Sequence, residues 1–221
     1  MRIYASFFCI FVRNIYLSMK KIIYLLGLLM AFYSCNSKQS MTKQEIELIN
    51  NGDHNTPYRV LLTTDEEDSL FLRKKAIDID VESIKDNKDL HLFIVRLALT
   101  MDVESGVGIA APQVGLSRNL FLFTRIDKPG FPVQVAINPR IAGHSEQMVC
   151  FEGDGCLSVP DQSGNTMRYE WIDVEYYNEN GELIKERLSG SSRQSDFTGV
   201  VFQHEFDHLQ GVLFTDKLCE E

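Results

Sequence analysis

Gln203-His204-Glu205-Phe206-Asp207-His208 is the stretch of this 221-residue chain that decides its fold. In a helix, its two histidines lie one turn apart on the same face, where both imidazoles can bind one metal ion. Glu205 then lies beside the ion, placed to exchange a proton with a bound water. Residues 196–209 carry apolar side chains at helical spacing, and Gly211 suits the position after the helix end. The alternative is a core helix that carries two histidines by chance.

A third metal ligand has to come from elsewhere in the chain. A catalytic metal site usually has three protein ligands and one open position. Only 13 residues follow His208, and this is too short for a second helix with a downstream glutamate ligand. The third ligand is therefore expected upstream, and Cys156, between Gly155 and Leu157, is the best candidate. A free cysteine is also commonly a small buried apolar residue, and that alternative stays open for Cys156.

The composition indicates one globular domain behind an N-terminal extension. A hydrophobic content of 44% over 221 residues is enough for a single core. Residues 1–35 contain four of the 22 basic residues and none of the 31 acidic residues, so the remainder has a formal net charge of -13. Such an acidic domain is not expected to bind nucleic acid by neutralising phosphates. The five cysteines have no regular spacing and do not indicate a disulfide framework.

Residues 1–35 have the pattern of a secretory signal. Met19-Lys20-Lys21 precedes an apolar run at 22–33 and then Ser34-Cys35, which is the order of a charged, an apolar and a small-residue region. The pattern resembles a bacterial lipoprotein signal in which Cys35 receives the lipid and Met19 is the true start.

This resemblance predicts an exported, membrane-anchored lipoprotein that faces the periplasm or the exterior, with a polar tether at residues 36–56. One alternative is an uncleaved signal anchor, for which the 12 apolar residues are short. If the signal is not used, the expected location is the cytoplasm.

Residues 57–221 are expected to form one α+β domain. Apolar side chains at helical spacing predict an amphipathic helix over residues 86–104. Four strands are predicted, at 119–124, 133–138, 172–178 and 183–188. Because strands outnumber helices, mixed or antiparallel sheets are expected around a central His-Glu-x-x-His helix.

Three stretches together resemble the peptide deformylase family. Gly106–Gln113 matches its Gly-x-Gly-x-Ala-Ala-Pro-Gln motif fully. Asp154–Ser158 matches its Glu-Gly-Cys-Leu-Ser motif with Asp in place of Glu, and His204–His208 matches its His-Glu-x-x-His motif. The order and spacing also fit the family, and the resemblance covers residues 57–221.

The resemblance implies a metallohydrolase that removes the formyl group from N-formylmethionyl peptides and releases formate. It implies Cys156, His204 and His208 as ligands of one divalent ion, with Fe(II) expected and Zn(II) as the alternative. Glu205 would act on a metal-bound water as general base and then as general acid. The Gln113 side-chain amide and the Leu157 backbone N–H would stabilise the charge on the formyl oxygen.

The resemblance also implies how the peptide binds. The peptide would add as a strand against Val107 and Gly108, with Gly155 on its other side. Val107 would also help to line an apolar slot for the methionine side chain, together with three residues of the metal helix region, namely Phe197, Val200 and Val201. Plain core packing is the alternative for each slot residue.

Two departures from the family pattern leave other functions open. Asp154 is one methylene shorter than the family glutamate, and Ser163 stands where many members have arginine. The second hypothesis is a membrane-anchored protein that binds formyl peptides with little or no turnover. The third is a zinc peptidase, against which the missing downstream glutamate argues.

Overall fold

The computed structural model describes residues 40–220, which fold into helices and two antiparallel sheets. The helices within this range are α1 (Lys43–Asn50), α2 (Glu66–Leu72), α3 (Lys88–Val103) and α4 (Thr198–Leu209). The strands are β1 (Gly108–Ala110), β2 (Leu120–Thr124), β3 (Val133–His144), β4 (Met148–Cys156), β5 (Val159–Tyr169), β6 (Trp171–Tyr177) and β7 (Leu183–Ser189). The predicted signal at residues 1–35 lies outside the described range. None of the described helices is long and apolar enough to cross a membrane.

The larger sheet has the strand order β1-β2-β3-β6-β7, and every neighbouring pair is antiparallel. Its second strand is buried on both faces: Leu120 and Leu122 pack into the core that contains α3, while Phe121 and Phe123 pack against α4. A strand covered on both faces has a continuous apolar sequence, as this strand does. The predicted α+β class, with antiparallel sheets around the metal helix, is therefore confirmed.

Helix α4 lies against the sheet through one aromatic cluster. The Phe202 ring meets the rings of Phe121 and Phe123 edge-on, at centroid distances of 4.9 and 5.3 Å. Gly199 allows the first turn to approach β7, because a β-carbon there would come within 2.9 Å of the Ser189 carbonyl oxygen. A glycine inside a helix is intrinsically unfavourable, but at residue 199 the packing of the helix requires it.

The smaller sheet is the β4–β5 hairpin, which is absent from the four strands predicted above. It runs from the Met148–Tyr169 pair to the Cys156–Val159 pair, with two register shifts between them. The C-terminal segment packs along this hairpin, and a disulfide joins Cys150 to Cys219 with their Cα atoms 6.1 Å apart. The irregular cysteine spacing gave no sign of this bond.

The described part of the predicted tether packs on the domain. Residues 43–50 form α1, which begins with a capping box between Thr42 and Glu45. Ile49 of this helix is fully buried in the core that contains α3. The tether expected at 36–56 therefore does not extend through residues 43–50, because an apolar side chain fixes this stretch to the domain.

Candidate metal centre

Helix α4 presents two imidazoles to the same point. His204 and His208 are both buried, and their ring centroids lie 5.1 Å apart. The His204 Nδ1 lies 2.9 Å from the Asp154 carboxylate. This contact leaves the His204 Nε2 as the nitrogen available to a metal ion.

Cys156 completes a cluster of three metal-ligand atoms. The Cys156 Sγ lies 3.2 Å from the His208 Nε2, and the three ligand atoms of Cys156, His204 and His208 all lie within 4.8 Å of one another. Burial alone would raise the pKa of the Cys156 thiol, but the two imidazoles outweigh it and lower this pKa to about 5. One thiolate and two imidazoles suit a divalent transition metal, and three ligands leave a position open.

Glu205 lies beside this cluster without a partner for one of its oxygens. Its side chain is buried, and its Oε2 has no hydrogen-bond partner among the described residues. Burial raises the pKa of the Glu205 carboxyl to about 7, against the opposing effect of His204 and His208. A carboxyl group with this pKa can both accept and donate a proton near neutral pH.

A buried ion-pair network holds Asp154 and Asp207, the two carboxylates next to the candidate ligands His204 and His208. Arg168 donates to Asp154 at 2.7 Å and to Asp207 at 2.6 Å, while Lys217 reaches Asp207 at 2.9 Å. Burial alone would raise the pKa of Asp154, but His204 and Arg168 outweigh it and hold this pKa well below its usual range. The shorter aspartate therefore still reaches both the candidate ligand His204 and Arg168.

Gln113 lies against the cluster from the side of the larger sheet. Its Nε2 is 3.6 Å from the Cys156 Sγ and 3.2 Å from the Ser158 Oγ, and its Oε1 accepts from the Ala110 backbone N–H at 2.8 Å. The Gln113 side chain is thus fixed at both ends of its amide. Leu157 directly follows the thiol and lines the same pocket.

A pocket of about 360 Å³ opens beside the cluster. All six predicted substrate-binding residues line it, namely Val107, Gly108, Gly155, Phe197, Val200 and Val201. The pocket also contains Phe151 and Arg193, which are not among the predicted site residues. Both lie in stretches without a motif, so only the folding of the hairpin and of the loop before α4 brings them here.

The family model, the relatives and the solved structures described next that resemble this chain are all peptide deformylases. The family model described as polypeptide deformylase matches residues 59–221. Peptide deformylase 2 from a Nostoc species is 42% identical over an alignment of 154 residues that covers 66% of this chain and 80% of that protein. The crystal structure of peptide deformylase from Thermotoga maritima has a TM-score of 0.63 and 35% identity, over 74% of this chain and 99% of that one. A class I type b peptide deformylase from Acinetobacter baumannii with Met-Ala-Ser bound has a TM-score of 0.63, 29% identity and the same two coverages.

Proposed function

The chain belongs to the polypeptide deformylase family, and from this premise we propose how its own residues perform the hydrolysis of N-formylmethionyl peptides to formate and a free amine. The observation that supports these roles is the meeting of Cys156, His204 and His208 next to Glu205 in one pocket. The comparisons do not favour a binding protein without turnover, because the relatives are named as deformylases.

We propose Fe(II) as the ion that Cys156, His204 and His208 hold, with Zn(II) able to take the same place. The thiolate makes the ligand set softer and more negative than three imidazoles, and this suits either ion. When bound, a divalent ion acts as a Lewis acid that polarises the formyl carbonyl and lowers the pKa of water.

Glu205 handles the protons of the reaction. Its buried carboxylate first accepts a proton from the attacking water, whose oxygen forms a bond to the formyl carbon. The same carboxyl group then delivers the proton to the departing amine nitrogen as the C–N bond breaks. The raised pKa of Glu205 suits both steps at neutral pH.

Two hydrogen-bond donors stabilise the negative charge that develops on the formyl oxygen. The Gln113 amide already points at Cys156 and is held in place through its own oxygen. The Leu157 backbone N–H is the second donor. Such donors act through prior alignment, because they need no reorganisation as the charge grows.

The peptide binds as an added strand at the edge of the larger sheet. β1 is the edge strand of that sheet and pairs with β2 alone. A peptide beside Val107 and Gly108 can hydrogen-bond to this edge, with Gly155 on its opposite side. The first side chain then enters the slot formed by Phe197, Val200 and Val201.

The experiment that tests these roles uses the full chain loaded with Fe(II) under anaerobic conditions. Formyl-Met-Ala-Ser is the substrate, and released formate is measured together with bound metal. We expect turnover by the wild type and its collapse in Glu205→Gln with the metal retained. A metal-loaded wild type that releases no formate contradicts the proposal, and cleavage of an internal peptide bond points to a peptidase instead.

We also propose that the protein is exported and anchored by a lipid on Cys35. The disulfide between Cys150 and Cys219 supports this location, because such bonds persist in oxidising compartments and are rare in the cytosol. Mass spectrometry of the mature N-terminus tests the proposal: a lipid-modified Cys35 agrees with it, and an intact, unmodified Met19 contradicts it.

A further inference from the structure

Arg193 gives the pocket a positive charge that no part of the proposed reaction uses. It is the only lysine or arginine among the described residues that line the pocket. Its side chain is exposed on the loop before α4, whereas the ligand cluster lies at the buried end of the same pocket. A peptide whose formyl group is at that cluster has to leave the pocket past its exposed rim.

The guanidinium of Arg193 is held in place by two carbonyls and two aromatic rings. Its Nε donates to the Glu152 carbonyl at 3.1 Å, and its Nη2 donates to the Gly153 carbonyl. Its central carbon lies 5.2 Å from the ring centroid of Phe151 and 5.5 Å from that of Phe197. These contacts fix the orientation of a side chain that would otherwise lose considerable conformational entropy on binding a ligand.

Arg193 keeps most of its donor capacity for a ligand. A guanidinium has five N–H groups, and the described residues take two of those of Arg193. No carboxylate pairs with Arg193 among the described ion pairs, whereas Asp154 in the same pocket is already paired with Arg168. A fixed planar cation with free N–H groups and no counter-charge favours a carboxylate, which it can bind through two parallel hydrogen bonds.

We propose that Arg193 is a specificity-determining residue that binds a carboxylate of the substrate beyond the formylated residue. The inference rests on the proposed function, since it concerns the choice among formyl peptides. The carboxylate comes either from the C-terminus of a short peptide or from an aspartate or glutamate side chain. The enzyme therefore prefers anionic formyl peptides to neutral ones of the same length.

The test compares kcat/KM for two matched pairs of peptides with the full, metal-loaded chain. The first pair is formyl-Met-Ala-Ser as free acid and as amide, and the second is formyl-Met-Ala-Asp-amide and formyl-Met-Ala-Asn-amide. Because exposed ion pairs are weak, we expect a preference of about three- to fivefold for the anionic member. A preference in the first pair only identifies the terminal carboxylate as the ligand, and one in the second pair only identifies the side chain.

Three variants separate recognition from a structural role of the loop. The measured ratio is kcat/KM for the anionic peptide divided by kcat/KM for its neutral partner. Arg193→Gln should bring this ratio to about one, and Arg193→Lys should leave it between one and the wild-type value. Both variants should still turn over the neutral peptides. Arg187→Gln is the matched control, because Arg187 also stacks on an aromatic ring, Trp171, but lies outside the pocket lining. Raising the ionic strength should lower the wild-type ratio.

Two results overturn the inference. One is a wild-type ratio of one in both pairs, and the other is a ratio that survives in Arg193→Gln. If that surviving ratio comes with an equal loss of activity on all four peptides, Arg193 has a role in loop structure alone. Failure of the proposed function is distinct, because no peptide of either pair would then release formate.

Discussion

The Cα of Gly108 faces the Glu205 carboxylate so closely that a β-carbon at residue 108 would collide with Oε1. Gly108 in the edge strand therefore leaves the space that the Glu205 side chain, the proposed general base, occupies. We expect Gly108→Ala to displace Glu205 and to lower kcat by about tenfold to hundredfold, from the usual cost of overpacking.

The control for this variant is Gly143→Ala. A β-carbon at Gly143 would lie 3.2 Å from the Asp173 carboxylate, the end of an exposed side chain that can move aside. Formate release and melting temperature should be measured for both variants. Equal activity of Gly108→Ala and the wild type would show that the contact does not constrain Glu205.

The Glu205→Gln variant should separate metal binding from catalysis. The amide has a similar shape but cannot accept the proton of the attacking water, so kcat should fall by about 10² to 10⁴. Metal content measured by mass spectrometry should stay at one ion per chain. Glu175→Gln, at an exposed pair with Lys185, is the matched control and should leave kcat unchanged.

The Asp154→Asn variant should weaken metal binding. Asp154 orients His204 through a 2.9 Å contact and neutralises Arg168, so its replacement by an amide removes the charge that supports the ligand. Loss of such an outer partner typically costs about 10- to 100-fold in metal affinity. Competition with a chelator measures the change, and an unaltered affinity would contradict the supporting role of Asp154.

The double variant Cys150→Ala, Cys219→Ala should lower the free energy of unfolding. The bond closes a loop with a sequence separation of 69 residues, and the chain-entropy relation then gives a stabilisation of about 4 kcal/mol. Urea unfolding of the double variant and of the reduced wild type should agree within error. If the oxidised wild type and the double variant unfold at the same urea concentration, the bond does not form.

Acid should weaken one contact that holds the start of α4. Asp127 is an exposed residue whose side chain, 25% exposed, accepts a hydrogen bond from Arg125 at 2.8 Å and lies next to Thr198. Mainly this hydrogen bond lowers the pKa of Asp127 to about 2. Because this pKa lies below its unfolded value, the stabilisation is complete above about pH 4 and is lost as the pH falls towards 2.

The Asp127→Asn variant measures this effect. It should be less stable than the wild type by at most about 1 kcal/mol at pH 6, and the difference should shrink as the pH falls from about 4 to about 2. Urea unfolding at several pH values provides the comparison. A difference that grows on acidification has the wrong sign for this mechanism.

The sequence predicts the candidate metal ligands better than it predicts the surrounding residues that depend on distant contacts. His204 and His208 are found from a local periodicity, and Cys156 from its motif, because each lies in a short stretch whose geometry is local. Arg193 and the disulfide partners escape detection because each depends on contacts between distant segments. Spacing along the chain carries no information about such pairs.

The difference between local patterns and distant contacts also explains which strands are predicted from the sequence and which are not. Four of the five strands of the larger sheet, β2, β3, β6 and β7, carry regular apolar patterns and are predicted, although β3 continues to His144 rather than ending near residue 138. The three-residue strand β1 is too short to show such a pattern and is not predicted. The β4–β5 hairpin has exposed positions, two register shifts and several glycines, so it lacks the alternation of a half-buried strand. The C-terminal segment also packs along this hairpin, a contact that no local pattern encodes.

The links around the metal centre form a closed loop of chain segments. Arg168 fastens the hairpin to α4 through Asp207, Lys217 fastens the C-terminal segment to the same carboxylate, and the Cys150–Cys219 bond returns to the hairpin. A random-mutation screen scored only for loss of bound iron or zinc should therefore also recover substitutions in these three segments at residues that do not bind the ion. Such substitutions would be mistaken for unrelated folding defects unless the hairpin, α4 and the C-terminal segment are considered as one connected structural unit.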